Sequence, residues 1–434
     1  MSGGYRVAGP STLPEWLAYL ETLHPKPIAM GLERVVAVAA RLGIRVPCPV
    51  ITVAGTNGKG STCAMLESIY RHAGYRTGLY MSPHLLRFNE RVRIAGEEAG
   101  DGELVAAFET VERARSGAPA AVALTYFEFT TLAALLLFQQ AEPDVLILEV
   151  GLGGRLDAVN AIDADVAVVT TIDVDHVEYL GPTREDIARE KAGVMRRGRI
   201  AICGEPDPPR SLIESANSVG ATLWRVGREY GYEVQALQWR YHGPGGARYG
   251  LPQPALRGSY QVGNAATVLA AIDALRERLP VSAGAIRDGL VHVELAGRFQ
   301  VLPGRPAVVL DVAHNPHAAR ALAEVLGTMG YFTRSFAVFG MLADKDIDGV
   351  IAALRERIDM WYVAPLPGPR GASADELALR LRKAGVAEAA VRSFDSVARA
   401  FRAARDEAQE TDRIAAFGSF LTVAAALEAA RARG

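Results

Sequence analysis

A glycine-rich segment near the start of the chain constrains its fold more strongly than any other feature. The segment, Val53-Ala-Gly-Thr-Asn-Gly-Lys-Gly-Ser-Thr62, lies between an apolar run typical of a buried strand and a helical pattern over 61–73. Glycines let backbone N–H groups surround phosphate oxygens, and the N-terminus of the following helix attracts the same negative charge. The spacing differs from the common phosphate loop, because Gly55 precedes Gly58 by three residues and Gly60 separates the lysine from the hydroxyl. We therefore predict a strand–loop–helix unit that binds the phosphates of a nucleotide.

Two side chains in this segment have the chemistry that a nucleotide site needs. Lys59 can reach the outer phosphates, and the hydroxyl of Ser61 can hold magnesium. The alternative is a glycine-rich turn without a ligand. We disfavour it because a strand, a lysine, a hydroxyl and a helix coincide at this one place.

The rest of the chain alternates short apolar runs with helical patterns. The runs over Asp144–Val150 and Asp165–Thr170 are typical of strands buried on both faces of a parallel sheet. Residues Glu229–Ser259 alternate with period two instead, which predicts an antiparallel hairpin insert. We predict an α/β fold of two domains. Residues 1–296 would form an N-terminal P-loop parallel-sheet ATPase domain with a small antiparallel insert, and residues 297–434 a C-terminal Rossmann-like α/β domain.

Composition and charge exclude several kinds of partner. A formal net charge of -2 and a pI near 6.5 argue against a protein that coats nucleic acid or an acidic membrane. The three cysteines lie far apart and match neither a zinc motif nor a disulfide framework, which suggests a reducing compartment. Residues Met1–Val7 contain no apolar run of signal length, and no stretch reaches the roughly 18 apolar residues of a membrane span. We expect a cytoplasmic protein with neither nucleic-acid nor membrane partners.

Lysine is unusually scarce in this chain. The 47 basic residues include only five lysines, which are Lys26, Lys59, Lys191, Lys345 and Lys383. Arginine therefore serves wherever a positive charge suffices, although it is no nucleophile and is effectively always protonated. A lysine that remains is more often needed as an amine, with the exception of Lys383 on a predicted surface helix.

Polar residues follow several of the predicted strands. Glu149 ends one strand, at the edge where open α/β sheets bind ligands, and a carboxylate there suits magnesium. His176 follows the next strand and suits a second metal, although a loop histidine is as often structural. Asp311 and His314 follow a strand in the second unit and suit ribose and phosphate contacts. The glycines over 151–156 resemble a dinucleotide fingerprint only weakly, because the sixth position is a leucine.

Five motifs occur together and in order along the chain. They are Gly-Thr-Asn-Gly-Lys-Gly-Ser, Leu-Glu-Val-Gly-Leu-Gly-Gly-Arg-Leu-Asp-Ala, Asp-His followed by Leu-Gly-Pro, Arg-Glu-Lys-Ala-Gly, and Asp-Val-Ala-His-Asn-Pro. From about Trp16 to the C-terminus the chain resembles the folylpolyglutamate synthase/dihydrofolate synthase family, within the Mur-type ATP-dependent peptide ligases. Cell-wall Mur ligases normally carry a UDP-sugar domain ahead of the phosphate loop. Only about 50 residues precede it here, which favours the folate family.

The resemblance implies ATP as co-substrate and two Mg²⁺ sites. Ser82 and Glu149 would hold one ion and His176 the other, with Ser61 close by. Lys59, His176 and Lys191 would act in catalysis, Lys191 as a carbamate formed by carboxylation of its amine, which arginine could not form. The implied ATP contacts are Gly55, Thr56, Asn57, Gly58, Lys59, Gly60, Ser61, Asn264, Arg298, Asp311 and His314.

The resemblance also implies a folate pocket and a monomeric enzyme. Phe127 would lie against the pterin ring, Asp157 would accept a hydrogen bond from its amino group, and Met30 would close over it. The implied pocket comprises Met30, Thr125, Tyr126, Phe127, Glu128, Leu156, Asp157 and Ala158. The implied reaction joins L-glutamate to dihydropteroate, and to reduced folates through γ-links, by way of an acyl phosphate. Three alternatives are one of these activities alone, a Mur-type ligase acting on another carboxylate, and a non-catalytic nucleotide-binding protein.

Overall fold

A computed structural model describes residues 9–26, 28–118 and 120–432, and the predicted absence of a signal sequence over Met1–Val7 lies outside them. The first domain is built on an eight-stranded sheet with the order β4-β3-β2-β5-β1-β6-β7-β8. Its strands are β1 (Val50–Ala54), β2 (Thr77–Tyr80), β3 (Val92–Ile94), β4 (Glu97–Glu98), β5 (Val145–Glu149), β6 (Val166–Val169), β7 (Ile200–Cys203) and β8 (Thr222–Arg225). All neighbours are parallel except at the β2–β3–β4 edge, so the ends of β1, β5 and β6 meet at one side.

Ten α-helices accompany this sheet within the described residues. They are α1 (Leu13–Thr22), α2 (Glu33–Leu42), α3 (Lys59–His72), α4 (Asp101–Ser116), α5 (Tyr126–Ala141), α6 (Val177–Leu180), α7 (Arg184–Ala192), α8 (Arg210–Val219), α9 (Tyr260–Ala274) and α10 (Ala283–Val291). Helix α5 is buried over 128–138, because its apolar residues occupy every face rather than one stripe. Helix α3 is buried over 60–70, which fixes the phosphate loop that precedes it.

The antiparallel insert has three strands rather than the two of the predicted hairpin. They are β9 (Gly231–Val234), β10 (Gln238–Gly243) and β11 (Gly246–Pro252), in the order β11-β10-β9. Asp273 of α9 fastens the insert to the domain, because its buried carboxylate accepts hydrogen bonds from Tyr241 Oη at 2.7 Å and from the backbone N–H of Gly245 at 3.0 Å.

A six-stranded sheet forms the second domain, with the order β12-β13-β17-β14-β15-β16. Its strands are β12 (Gln300–Leu302), β13 (Ala307–Asp311), β14 (Ser335–Phe339), β15 (Met360–Val363), β16 (Val391–Ser393) and β17 (Arg413–Phe417), and its helices are α11 (Pro316–Thr328), α12 (Ile347–Leu354), α13 (Ala374–Lys383), α14 (Val397–Glu407) and α15 (Phe420–Arg431). All strands but β12 are parallel. The predicted α/β fold with two parallel-sheet units is confirmed.

No helix in the described part of the chain combines the length and the apolar character that a membrane span requires.

Candidate active site

A cleft of about 520 Å³ lies between the two sheets. It brings together every residue predicted to bind ATP or metal or to act in catalysis, namely Gly55, Thr56, Asn57, Gly58, Lys59, Gly60, Ser61, Ser82, Glu149, His176, Lys191, Asn264, Arg298, Asp311 and His314. Residues from both domains line it, so the cleft takes its shape from the way the two domains pack.

The glycine-rich loop is held in shape by the residues after β6. Gly55 has φ +152°, and a Cβ there would lie 1.8 Å from Oγ1 of Thr170. That hydroxyl donates a 2.6 Å hydrogen bond to the carbonyl of Asn57. Helix α3 begins at Lys59 with Gly58 as its N-cap at φ +85°, so the first-turn N–H groups face the cleft without intrahelical partners. The loop is therefore a preformed anion site, and Lys59 Nζ is held over it by the carbonyl of Gly55 at 3.0 Å.

Glu149 ends β5 as a buried carboxylate. Its Oε2 accepts a 3.0 Å hydrogen bond from the backbone N–H of Ser82, and burial raises the pKa of Glu149 while the Lys59 charge lowers it. A buried carboxylate with so few donors is stabilised by a cation. The described residues contain no group of three or more His, Cys, Asp or Glu side chains arranged to hold a metal ion on their own. Magnesium in proteins keeps several waters and takes phosphate oxygens as ligands.

His176 lines the same cleft as Glu149 and has a left-handed backbone, with φ +52°. Such a conformation is uncommon outside glycine and often marks a functional position. Burial and, to a smaller extent, the charge of the nearby Lys345 lower the pKa of His176 to about 4. The imidazole is therefore neutral at neutral pH, the form in which histidine binds metals.

Lys191 is a buried amine that lines the cleft, 3% exposed. Burial and, to a smaller extent, the charge of Lys59 lower the pKa of Lys191 to about 7. A large fraction of this amine is uncharged at neutral pH. A neutral amine can attack carbon dioxide, whereas an ammonium cannot.

The remaining predicted nucleotide contacts surround the loop from α9 and from the second domain. A Cβ at Gly58 would lie 2.7 Å from Oδ1 of Asn264, so this amide packs on the loop. The Arg298 guanidinium lies 5.0 Å from the ring centre of Phe420. Asp311 accepts hydrogen bonds from two backbone N–H groups, both at 2.8 Å, and burial raises its pKa. The Ser61 hydroxyl accepts a 3.2 Å hydrogen bond from Gln261 of α9.

The eight predicted folate residues do not line this cleft but form a group beside it. A Cβ at Gly151, which lines the cleft, would lie 2.7 Å from the ring of Phe127, and one at Gly153 would lie 3.7 Å from the end of Met30. Asp157 is buried and accepts hydrogen bonds from the N–H groups of Leu152 at 2.8 Å and Val159 at 3.1 Å, while burial raises its pKa to about 7. Leu156 and Ala158 flank it in sequence.

Three other predicted folate residues already have structural partners. Thr125 caps α5 and forms a capping box with Glu128, whose carboxylate also binds Arg34 at 2.7 Å. Tyr126 lies under the guanidinium of Arg91, with 5.6 Å between the guanidinium carbon and the ring centre. Glu128 is 4% exposed, and its ion pair with Arg34 links α5 to α2.

Sequence reasoning missed four polar residues at the contact between the domains. Asp175 accepts a 2.6 Å hydrogen bond from Nζ of Lys345, and Asn57 of the loop contacts Asn315 at 3.1 Å and His317 at 2.8 Å. The signals were present for three of them. Lys345 is one of the scarce lysines, Asp175 is the aspartate of the Asp-His motif, and Asn315 lies within the motif that contains Asp311.

Two family models match this chain. The Mur ligase middle domain matches residues 53–272, and the Mur ligase glutamate ligase domain matches residues 297–420. The chain is also similar to proteins named dihydrofolate synthase/folylpolyglutamate synthase. It is 50% identical to the one from Escherichia coli over 98% of this chain and 96% of that protein. It is 42% identical to the one from Haemophilus influenzae, over 95% of this chain and 96% of that protein.

Solved structures agree with these sequence matches. Escherichia coli FolC in complex with DHPP and ADP superposes with a TM-score of 0.91 at 50% identity, covering 98% of this chain and 99% of that chain. A bifunctional folylpolyglutamate synthase/dihydrofolate synthase with Mn, AMPPNP and L-glutamate bound has a TM-score of 0.89 at 47% identity, covering 98% and 100%. Both domains and their relative placement are therefore shared with these proteins.

Proposed function

The chain belongs to the dihydrofolate synthase/folylpolyglutamate synthase family of Mur ligases, and we propose that it joins L-glutamate to dihydropteroate and, through γ-links, to the tail of reduced folates. One observation carries this proposal. The end of β5 supplies Glu149 to the phosphate cleft and, two residues later, Gly151 to the side of Phe127. We propose that a pterin on Phe127 has its acid group directed toward the phosphate loop.

The proposed reaction activates a carboxylate before the amine attacks it. An oxygen of the acid attacks the γ-phosphorus of ATP, the bond to the bridging oxygen breaks, and ADP leaves. The α-amine of glutamate then attacks the acyl phosphate carbon and loses a proton. Inorganic phosphate leaves from the tetrahedral intermediate with the oxygen that came from the acid. Activation is required because an unactivated carboxylate would have to expel oxide.

Positioning and charge compensation are the main tasks of the protein in this reaction. Phosphoryl transfer spreads negative charge over the transferred group, and fixed donors lower its energy. Lys59 and the N-terminus of α3 supply positive charge at the loop. Asn264, Arg298, Asp311 and His314 surround the same cleft and are proposed to hold the nucleotide.

We assign two Mg²⁺ ions to this site. Glu149 with Ser82 would hold one, His176 would hold the other, and Ser61 lies close by. When bound, the ions would offset the repulsion between the negative charge of the triphosphate and that of the acid. The lowered pKa of His176 keeps its imidazole neutral, the form in which it can bind a cation, and a cation bound at Glu149 would favour the ionised carboxylate, whose pKa burial raises.

Lys191 is proposed to be carboxylated on its amine. The nitrogen would form a bond to the carbon of carbon dioxide and release one proton, which leaves a carbamate with two oxygen ligands. The lowered pKa and the burial of Lys191 support this step, as does the retention of lysine in a chain that otherwise prefers arginine.

The pterin is proposed to lie between Phe127 and Met30, with Asp157 as the acceptor for its amino group. We further propose a monomer that works in the cytoplasm, with the domain boundary between residues 296 and 297. All strands of the eight-stranded sheet precede that boundary in the sequence, and all strands of the six-stranded sheet follow it, which supports the division.

Product assays with separate acceptors test the proposal. Purified protein with ATP, Mg²⁺ and L-glutamate is given dihydropteroate in one reaction and tetrahydrofolate in another. We expect dihydrofolate from the first, a longer glutamate tail from the second, and phosphate release that needs both glutamate and acceptor. Phosphate release that is independent of the pterin would contradict the assignment.

A further inference from the structure

One buried lysine has no role in the proposed function. Lys59 and Lys191 belong to the phosphate and carbamate sites, whereas Lys26 and Lys383 are exposed. The side chain of Lys345 is only 8% exposed, although it carries a charge. A buried ammonium needs a partner that compensates for the loss of water.

The partners of Lys345 lie in the other domain. Lys345 follows β14 of the second domain, and its Nζ donates a 2.6 Å hydrogen bond to Oδ1 of Asp175. The same Nζ lies 3.3 Å from Nε2 of His176. Asp175 and His176 follow β6 of the first domain. The amine therefore links the two domains directly beside a proposed metal ligand.

Other groups of the second domain surround the same carboxylate. Oδ2 of Asp175 lies 3.5 Å from Nδ2 of Asn315 and 3.8 Å from Nε2 of His314. Its Oδ1 also accepts a 2.8 Å hydrogen bond from the backbone N–H of His176. Several groups of the second domain therefore contact the carboxylate of Asp175, and among them Lys345 also contacts His176.

An imidazole nitrogen that carries no proton has one lone pair, and Nε2 of His176 faces the Lys345 amine with that pair when the ring proton is on Nδ1. That pair can accept an N–H from an ammonium or bind a metal ion, but it cannot do both. A cation bound to this nitrogen would also repel an ammonium that stays near it.

We propose that Lys345 is a positioning residue that competes with the second divalent cation for Nε2 of His176. A cation that binds Nε2 of His176 would displace the amine of Lys345 from that nitrogen. Metal loading would therefore be linked to the contact that Lys345 makes between the two domains. This inference rests on the proposed role of His176 as a cation ligand. If the amine weakens cation binding by a given factor, removal of the amine strengthens cation binding by that same factor.

A titration with Mn²⁺ tests this competition without reference to turnover. Free Mn²⁺ is measured by electron paramagnetic resonance in the presence of AMPPNP for the wild type, Lys345→Met and Lys345→Arg. We expect Lys345→Met to lower the Kd of the weaker Mn²⁺ site by about fivefold or more, and Lys345→Arg to stay near the wild-type value because it keeps the charge. Lys383→Met on exposed α13 is the matched control and should leave both sites unchanged.

The outcomes separate this inference from the proposed function. His176→Ala should remove the weaker site. If it does so while Lys345→Met leaves the Kd unchanged or raises it, competition is wrong and the metal assignment stands. If the wild type binds a single Mn²⁺ and His176→Ala does not change it, the role of His176 fails, and the competition fails with it. Circular dichroism of each variant shows whether it is folded.

Discussion

Phe127 occupies the space that a side chain at Gly151 would need. A Cβ at Gly151 would lie 2.7, 3.0 and 3.1 Å from three carbons of the Phe127 ring. The ring is also tilted against Tyr80, with 5.8 Å between the ring centres, so it has little room to retreat. The absence of a side chain at Gly151 is thus what lets one face of the proposed pterin pocket approach the phosphate cleft.

Gly151→Ala should therefore weaken binding of the pterin acceptor but not of ATP. Overpacking of this kind costs about 1–3 kcal/mol, so KM for dihydropteroate should rise about tenfold. Steady-state kinetics with each substrate varied in turn measures both constants. Gly102→Ala is the matched control, because a Cβ there has no atom within 4 Å. If the two substitutions had equal effects, the assignment of Phe127 to the pterin pocket would be wrong.

Asp157→Asn should affect both the fold and the acceptor. The carboxylate accepts N–H groups from Leu152 and Val159. An amide has one oxygen, so one donor loses its partner, at a cost of about 1–3 kcal/mol of unfolding free energy. Urea denaturation measures that loss. The KM for dihydropteroate should also rise, while the KM for ATP stays constant.

The affinity for the acceptor should depend on pH through Asp157. Burial raises the pKa of Asp157 to about 7, and the ionised carboxylate accepts a stronger hydrogen bond from the pterin amino group than the protonated acid does. Dihydropteroate should therefore bind more tightly as pH rises from 6 to 8. Calorimetric titration at several pH values checks this, and Asp157→Asn should show no such slope. A slope that persists in the variant would assign the pH dependence to another group.

Lys191→Met should make the protein more stable while abolishing turnover. The unfolded lysine has a pKa of 10.5, and burial lowers the pKa of the folded one to about 7. Between pH 7 and pH 10.5 the unfolded chain holds one more proton than the folded chain, so the unfolding free energy rises with pH. Below pH 7 the folded lysine is also protonated, and the full cost of burying its charge lowers the unfolding free energy. At ~1.4 kcal/mol per pKa unit, removal of the amine should raise the unfolding free energy at pH 7 by up to about 4 kcal/mol.

Chemical denaturation in buffer free of carbon dioxide measures this gain. Lys191→Arg is the comparison, since it keeps the charge, cannot form a carbamate and should also be inactive. Short carboxylic acids should restore part of the rate of Lys191→Ala. The carbamate would be refuted if fully active wild-type protein had the intact mass calculated from its sequence, with no added carbon dioxide.

Lys59→Met should lower turnover by at least about 10³-fold, because transition-state charge at the transferred phosphoryl group loses a fixed cation. Phosphate release under saturating substrates measures the loss. Lys383→Met keeps every residue of the cleft and should behave as the wild type. Near-normal turnover of Lys59→Met would exclude the loop from the chemistry.

The parts of the fold that could be predicted are those with local signals. Strands β1, β5 and β6 agree with the predicted runs to within a residue or two, because each is an apolar run buried on both faces. The short strands β3, β4, β12 and β16 and the first helices α1 and α2 were not predicted. Strands of two or three residues have too little periodicity to be recognised.

The candidate site divides in the same way. The loop around Lys59 has a motif that encodes its own geometry, so its residues could be named from sequence. Lys345 and Asp175 are 170 residues apart, and their contact exists only because two separately folded domains pack together. Glu128 shows the converse, because its position in a folate-like motif does not reveal that its carboxylate is already paired with Arg34.

The transfer of a carboxylate oxygen to phosphate tests the central claim most directly. Dihydropteroate labelled with oxygen-18 in its carboxylate is turned over with ATP, Mg²⁺ and L-glutamate, and the inorganic phosphate is analysed by mass spectrometry. An acyl phosphate formed in the cleft predicts one labelled oxygen in each phosphate released. Unlabelled phosphate alongside normal dihydrofolate formation would contradict phosphorylation of the acid and the account built on it.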